Sequence, residues 1–131
     1  MEKTNKINIR VRYSETDKMG VVYHGNYAQY LEMARVEWLR ELGVSYRWME
    51  DNGVMLPVVS LQINYKKSAR YDDVLTVQAT LKKTPSVKIE FDYYIFDENG
   101  DILAEANTVL AFIDSKTFRP IRCPEYILNK L

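Results

Sequence analysis

An acidic turn and the only histidine of the chain lie seven residues apart, directly before the strongest helix pattern in the sequence. The turn, residues 14–20, contains Asp17, and His24 and Gly25 follow it. A carboxylate can attack a carbonyl carbon or activate water. Backbone N–H groups at a helix start lack intrahelical partners and carry partial positive charge, which suits a developing oxyanion. This combination favours chemistry at a carbonyl group.

Each of these residues also has a structural interpretation that the spacing alone leaves open. Asp17 could bond the backbone of its own turn, as aspartate commonly does. His24 could be a surface or capping residue beside the helix start. Asn26 is a good N-cap type and is predicted to be a cap first and a site residue second.

The helix that must position these groups is predicted from Asn26 to Gly43. Apolar residues recur at the spacing of one helical stripe, and Gly43 is a usual residue just beyond a helix C-terminus. About sixteen residues give roughly 24 Å of helix, enough to cross a small domain. The stripe is wide, so we expect a sheet to wrap this helix; its members are Tyr27, Tyr30, Leu31, Ala34, Trp38 and Leu42.

The remaining pattern is that of an antiparallel sheet. Five runs alternate apolar and polar residues, at residues 7–13, 55–65, 74–81, 87–95 and 102–112. Asn99-Gly100 between the last two is a strong hairpin signal. A short second helix is predicted at residues 44–52 and a last helical turn at 125–130. The layout is α+β, with a mainly antiparallel five-stranded sheet around one long helix.

Composition limits the classes of function. A chain of 131 residues predicts a single domain over 1–131, and 47% hydrophobic with 27% charged residues is ordinary for a globular protein. Eighteen basic and eighteen acidic residues cancel, which gives no general field for nucleic acid or an anionic membrane. No apolar run is long enough to span a bilayer. One histidine and the single Cys123 make a poor zinc set, so no metal is expected.

The string Y-x-x-x-D-x-x-G-V-V-Y-H-x-N-Y, followed by a helix with Glu32 and Arg35, closely resembles the 4-hydroxybenzoyl-CoA thioesterase family of hot-dog-fold acyl-CoA thioesterases. It is most similar to the branch of the Tol-Pal-associated bacterial enzymes. The likeness continues through residues 69–75 to the C-terminal strand and so covers nearly the whole chain. The resemblance implies the hot-dog fold and hydrolysis of an acyl-CoA to a free acid and coenzyme A, without a metal or redox cofactor.

The resemblance also implies roles for particular residues. Asp17 matches the catalytic aspartate, as nucleophile or as general base, and His24 and Tyr13 match active-site residues of this branch. The helix start from Tyr23 to Gly25 is expected to polarise the carbonyl, with the His24 N–H as oxyanion donor. Tyr13 could equally be a core residue at a strand end.

Substrate contacts are predicted at Asn26 and Glu32 and at three cations for the phosphates of coenzyme A. The cations are Arg70, Lys83 and Lys88, each of which has a solvated surface charge as its alternative. Glu32 could instead be the reacting carboxylate, as in a neighbouring branch of the family, or could pair with Arg35 at i, i+3.

Two further expectations concern assembly and location. Members of the family generally pair edge strands across a dimer and often form tetramers, which implies an even-numbered homo-oligomer with sites at subunit interfaces. The single cysteine and the lack of an apolar signal region at the N-terminus predict a cytoplasmic protein.

Two alternative functions remain open. The acyl group could be delivered by acyl carrier protein instead of coenzyme A, or the protein could bind acyl-CoA without hydrolysing it.

Overall fold

The computed structural model describes residues 3–131, in which one hydrophobic core lies between a long helix and a sheet. Two short 3-10 turns, at Tyr13–Glu15 and His24–Asn26, precede the long helix. The helices are α1 (Tyr27–Glu41), α2 (Tyr46–Asp51) and α3 (Glu125–Leu128). The strands are β1 (Lys3–Arg10), β2 (Val54–Met55), β3 (Val58–Tyr65), β4 (Val74–Leu81), β5 (Lys88–Phe96), β6 (Ile102–Ala111) and β7 (Ile113–Asp114).

The five longer strands form one antiparallel sheet in the order β1-β4-β5-β6-β3. The short strands β2 and β7 pair separately. This confirms the predicted α+β architecture, with a five-stranded antiparallel sheet and one long helix packed against it. Strands β1 and β3 are the edges, so each offers a row of backbone groups along one side.

Period-two alternation explains which face of the sheet is buried. Leu75, Val77 and Ala79 of β4 are fully buried, whereas the intervening Thr76 and Gln78 are partly exposed on the outer face. Strand β5 repeats the pattern, and its inward aromatic residues meet the helix, as in the edge-to-face contact of Trp38 with Phe91. The alternation read from the sequence is therefore confirmed.

Helix α1 buries most of the predicted stripe, and the inner faces of β4, β5 and β6 are covered. It packs against β1 and β4, and the Trp38 indole donates a 2.9 Å hydrogen bond to the carbonyl of Lys3 on β1. Gly43, at φ +94°, ends the helix in the left-handed region that glycine adopts without strain. The inner face of β3 is left open, and Leu61 and Tyr65 there are about half exposed.

The helix start differs from the predicted N-cap. Asn26 has helical φ and ψ of −78° and −16° and caps nothing with its side chain. Its amide instead donates to the carbonyl oxygen of Glu15 at 2.8 Å. The chain enters α1 through the 3-10 turn at His24–Asn26. The Asn26 side chain therefore does not cap the helix and instead connects it to the acidic turn.

The expected pair between Glu32 and Arg35 is wrong. Arg35 is only 4% exposed and donates to the hydroxyls of Tyr46 and Tyr93, whereas Glu32 is exposed on the outer side of α1. The side chains of two residues three positions apart on a helix can point in different directions when one of the residues borders the core. Here Arg35 borders the sheet side, and its long side chain is pulled inward by the two phenols.

The shorter predicted elements are confirmed. Ser45 caps α2 by accepting from the N–H of Trp48 at 2.9 Å. The Asn99-Gly100 hairpin forms with Gly100 at φ +84°. Cys123 is a free, buried thiol, and burial, followed by the nearby Glu125 carboxylate, raises its pKa to about 11.

A buried carboxylate joins the acidic turn to α1. Glu15 is 6% exposed and accepts from the Arg12 N–H at 2.8 Å, from the Arg12 guanidinium at 3.0 Å and from the Tyr30 hydroxyl at 2.9 Å. Its backbone carbonyl also accepts from the N–H of Tyr23. Burial acts to raise the Glu15 pKa, but these hydrogen bonds outweigh it and lower the pKa.

The buried carboxylate predicts an acid-sensitive fold. Because the Glu15 pKa is lowered in the folded state, its ionised form stabilises the protein above its ordinary value of 4.5, and that contribution is lost as pH falls through the folded value. Glu15→Gln should lower the free energy of unfolding by about 1.5–3 kcal/mol at pH 7. Denaturant unfolding at pH 7 and pH 4 measures both effects.

Glu41→Gln, an exposed carboxylate on α1, is the control and should change stability little at either pH. The Glu15→Gln protein should lose less stability than the wild type between pH 7 and pH 4. Equal losses in the two proteins would contradict this account.

Candidate active site

A cavity of about 330 Å³ lies where the acidic turn, the start of α1 and the end of β3 meet. It contains both residues from which the sequence argument began, Asp17 and His24. Polar, apolar and cationic side chains all border it, as a site for a charged ligand with an acyl group requires. The lining residues are Asp17, Met19, Val21, Val22, His24, Tyr27, Tyr65, Lys66, Lys67 and Ser68.

Asp17 is held at the cavity by its own turn. One carboxylate oxygen accepts from the N–H of Met19 at 2.8 Å and of Val21 at 3.4 Å. Gly20, at φ +78°, closes the turn, and its N–H donates to the Asp17 carbonyl at 3.0 Å. The turn-bonding interpretation and the catalytic one are therefore compatible, because these contacts fix one oxygen and leave the other for a ligand.

His24 lines the cavity, its ring is exposed, and its backbone begins the helical segment. Within residues 3–131, the N–H groups of His24 and Gly25 donate to no protein acceptor. They stand at the start of the helical segment, beside the cavity, where their partial positive charge suits an oxyanion. The imidazole lies against the ring of Tyr23, with centroids 4.5 Å apart.

Two tyrosines connect the helix start to the edge strand. The Tyr65 hydroxyl donates to the His24 carbonyl at 3.1 Å, which fixes the turn that carries the free N–H groups. The Tyr65 ring also packs on Tyr27, with centroids 5.1 Å apart. Burial raises the pKa of both phenols, so both are neutral at pH 7. Tyr65 therefore positions the site from β3.

The cavity has a cationic border. Lys66 and Lys67 line it, and the Arg70 guanidinium lies about 4.0 Å from where a side chain on Gly20 would begin. Hydrogen bonding to Asp101, and to Asp97 as well, raises the Lys67 pKa and holds its ammonium group. Exposed lysine and arginine side chains at a pocket mouth suit phosphate groups.

Several predicted site residues do not line the cavity. Tyr23 and Gly25 belong to the turn, and an added side chain on Gly25 would begin 2.7 Å from the Tyr23 ring. Asn26 is occupied with Glu15, and Glu32 is exposed farther along α1. Tyr13 is 77% exposed and packs edge-to-face on Tyr71 instead.

Two predicted cations lie at the far end of the sheet. Lys88 begins β5, whereas the cavity lies near the strand end that pairs Ile95 with Ala104 and Ala104 with Tyr65. Seven residues of strand separate Lys88 from Ile95, which is about 23 Å. Lys83 is in the same distant turn. Neither reaches the cavity of its own chain.

Sequence reasoning missed Tyr65 and the part played by Glu15. Alternation over residues 55–65 predicts Tyr65 on the apolar face of its strand, whereas its contact with His24 depends on a sheet order that brings β3 beside β6. Lys66 and Lys67 directly follow this run, and nothing in the sequence places that strand end beside Asp17. Glu15, two residues before Asp17, carried no signal that distinguished it from a surface acid of the same turn.

A larger cavity, of about 480 Å³, lies on the outer face of the sheet and has a different chemistry. It is an open, polar surface, and two of its carboxylates are already bonded to neighbouring side chains. Asn107 donates to Asp92 at 2.9 Å, and Glu105 lies near Lys66. It has no histidine and no helix start, so the smaller cavity is the better candidate.

Residues 3–131 lack both a metal-binding cluster and a membrane-spanning helix. No cluster of three or more histidine, cysteine, aspartate or glutamate residues is arranged to hold a metal ion. None of the helices in this part of the chain is long and apolar enough to cross a membrane.

Comparisons with known proteins agree with this geometry. The profile of the thioesterase-like superfamily matches residues 11–131. A solved structure, the DHNA-CoA thioesterase of Staphylococcus aureus, is 40% identical and superposes with a TM-score of 0.91 over 96% of this chain and 85% of that one.

Two curated relatives carry thioesterase names. The acyl-CoA thioesterase YbgC of Haemophilus influenzae is 31% identical over 120 residues, which cover 91% of this chain and 88% of YbgC. The acyl-acyl carrier protein thioesterase ATL3 of Arabidopsis thaliana is 30% identical over 131 residues, covering 99% of this chain and 68% of ATL3. This chain belongs to the thioesterase-like superfamily and has its hot-dog fold.

Proposed function

We propose that this protein hydrolyses the thioester of an acyl-CoA to a carboxylic acid and coenzyme A at the cavity that Asp17 and His24 share. The observation that supports this most directly is the pairing of a carboxylate with backbone N–H groups that have no protein acceptor. The superfamily match and the acyl-CoA thioesterases among the relatives support the same activity.

The arrangement allows a simple division of roles. The thioester oxygen is placed at the N–H groups of His24 and Gly25, which stabilise the charge that develops on it. Asp17 either attacks the carbonyl carbon, giving an anhydride that water then opens, or removes a proton from the attacking water. In both routes water supplies the hydroxyl of the product acid, the carbon–sulfur bond breaks and coenzyme A leaves as a thiol.

The residues around this centre bind and position the substrate. Lys66, Lys67 and Arg70 meet the phosphates of coenzyme A, because they are the cations beside the cavity. The His24 ring and the exposed Tyr13 are proposed to contact substrate rather than to react. A contribution from Lys83 or Lys88 requires a second copy of the chain, since both are far from the cavity of their own.

Strand β3 is proposed to pair with β3 of a second copy, giving a dimer and, by further association, a tetramer. One edge of β3 pairs with β6, and the other edge is unpaired within residues 3–131. Its side chains include half-exposed Val58, Val59 and Leu61. A long, apolar edge strand is an aggregation hazard unless it is covered. The pairing would place the cavity beside the partner.

The remaining proposals follow from the same chemistry. The reaction needs no metal or redox cofactor, because a carboxylate and backbone dipoles suffice. The chain acts as one catalytic domain over residues 1–131. A cytoplasmic location is supported by the single cysteine, since the chain has no pair of cysteines that could form a disulfide.

Acyl carrier protein is the alternative carrier, and the relation to ATL3 supports it. The two carriers share the phosphopantetheine thioester, so the chemistry at Asp17 is unchanged. The two carriers differ beyond the phosphopantetheine, so the cationic border of the cavity would contact either the nucleotide phosphates of coenzyme A or the surface of the carrier protein. Comparing turnover of one acyl group on coenzyme A and on acyl carrier protein distinguishes them.

Replacing the Asp17 carboxylate tests the proposed reaction most directly. Asp17→Asn should reduce thiol release from acyl-CoA esters by at least about a hundredfold, because an amide neither attacks the carbonyl nor accepts a proton. The measurement is kcat/KM on a panel of short, long and aromatic esters. Asp51→Asn, an exposed carboxylate on α2, is the control and should retain wild-type rates.

If a folded Asp17→Asn protein kept wild-type rates, the reacting carboxylate would have to be another residue, and Glu32 would be the next to test. A wild type that is inactive on every coenzyme A ester but active on acyl carrier protein would favour the alternative carrier. Tight binding of the esters without thiol release from either carrier would favour a non-catalytic acyl-CoA-binding protein.

The oligomeric state tests the proposed pairing of β3 strands. The wild type should sediment at no less than twice its 15.4 kDa chain mass. Val59→Asp should weaken the dimer by at least about tenfold, because it buries an unpaired charge at the proposed strand pair. Lys6→Asp, on the opposite edge strand β1, is the matched control. A wild-type monomer at micromolar concentration would contradict the proposal.

A further inference from the structure

The carbonyl oxygen of His24 accepts hydrogen bonds from two parts of the fold. The N–H of Tyr27 donates to it within the turn that leads into α1. The hydroxyl of Tyr65, at the end of β3 and 41 residues farther along the chain than His24, donates to it at 3.1 Å. A carbonyl oxygen has two lone pairs, so both of them are used. The helix start is therefore held from the sheet as well as from within its own turn.

That carbonyl belongs to the peptide group whose N–H is the N–H of Gly25. Peptide bonds in the described part of the chain are all trans, and a trans peptide group is planar with its C=O and N–H pointing in opposite directions. A donor at the oxygen therefore also fixes the direction of the N–H. Hydrogen bonds on the two sides of one amide polarise each other. The Gly25 N–H donates to no protein acceptor within residues 3–131, so this polarisation is available to a ligand.

Packing does not account for the Tyr65 hydroxyl. The residue is 49% exposed, so water could serve as the partner of its hydroxyl. The ring packs on Tyr27 with centroids 5.1 Å apart, and a phenylalanine ring could make the same contact. The hydroxyl nevertheless bonds a carbonyl of the turn that carries the proposed oxyanion donors. The hydroxyl therefore has a role beyond the contact that the ring makes.

This contact lies at the catalytic cavity. His24, Tyr27 and Tyr65 all line the cavity, as does Asp17. Strand β3 holds Tyr65 there through its pairing with Ala104 of β6. Because the hydroxyl donates to a backbone carbonyl of the protein, it can influence the reaction through the turn without touching the reacting atoms.

We propose that Tyr65 is a positioning residue for thioester hydrolysis, whose hydroxyl orients and polarises the His24–Gly25 peptide group so that it stabilises the oxyanion. This inference rests on the proposed thioesterase function and assigns part of its rate to a side chain on β3. The stabilised charge develops in the transition state and is absent from the bound thioester. Tyr65 therefore contributes to kcat and leaves binding of the ground-state thioester unchanged.

The size of the effect is set by two limits. Loss of a whole oxyanion donor reduces kcat by about a hundredfold to a thousandfold. Loss of one neutral hydrogen bond changes an equilibrium by about twofold to tenfold. Because Tyr65 acts on a donor and does not touch the oxyanion, its hydroxyl should be worth about tenfold in kcat.

The kinetic test removes the hydroxyl and keeps the ring. Tyr65→Phe should lower kcat about tenfold, with KM within about twofold of wild type, on the acyl-CoA ester that the wild type hydrolyses best. Replacing Tyr65 with 4-aminophenylalanine, which places an N–H donor at the same position, should recover most of the loss. Tyr94→Phe is the matched control, because Tyr94 is a partly exposed tyrosine on the outer face of β5, and it should leave both parameters unchanged.

Three kinetic outcomes would overturn the proposal and leave the thioesterase function standing. The first is a Tyr65→Phe protein with wild-type kcat. The second is a loss in kcat/KM that comes from KM alone, which would place Tyr65 in substrate binding. The third is a loss in kcat that 4-aminophenylalanine does not restore, which would assign the effect to the packing of the ring.

Binding of a tetrahedral analogue tests the inference without turnover. The trifluoroacetonyl thioether of coenzyme A has an activated ketone whose hydrate resembles the tetrahedral intermediate, and S-propyl-coenzyme A has the same length without a carbonyl. Calorimetry should show that Tyr65→Phe binds the ketone about tenfold more weakly than the wild type and binds the propyl thioether equally well. Equal ketone affinities would overturn the proposal. A Tyr65-dependent preference for the ketone in a wild type that hydrolyses no ester would support the inference and contradict the proposed function.

Discussion

The site depends on one buried carboxylate. Glu15 connects the loop before the helix to the first turn of α1, through Tyr30 on the helix and Arg12 at the end of β1. The turn that carries Asp17 has a second attachment, because the Val22 N–H donates to a carbonyl of the segment before β4 at 2.8 Å. Because a buried charge tolerates few geometries, the network fixes the turn more tightly than apolar contacts of the same area would. The stability of the fold and the geometry of this turn therefore share one set of hydrogen bonds.

The lopsided packing of α1 organises the other half of the molecule. A helix centred over the sheet would bury β3 and leave a closed core. By lying nearest β1 and β4, α1 leaves the inner face of the edge strand β3 half exposed. The same displacement leaves β3 accessible both on its inner face and along its unpaired edge.

Most of the fold could be predicted from the sequence, because two periodicities carry it. Alternation gave the strands, the helical stripe gave α1, and Asn99-Gly100 gave the hairpin. The site was harder, since a turn and a helix start are local, whereas Tyr65 reaches His24 only through the sheet order. The pairing of Arg35 with Glu32 was wrong because helical spacing identifies neighbours on an exposed helix surface. The spacing does not show that Arg35 borders the core and donates to two buried tyrosines.

Cys123 has a practical consequence for enzymology. Reagents that detect coenzyme A react with thiolates, and a protein thiol normally adds its own signal. This chain has one cysteine, which is 4% exposed and has a pKa of about 11. At pH 8 a thiol whose pKa is raised this far is almost entirely protonated, and it is also buried. Dye released during turnover therefore counts product sulfur directly, without alkylating or replacing the cysteine.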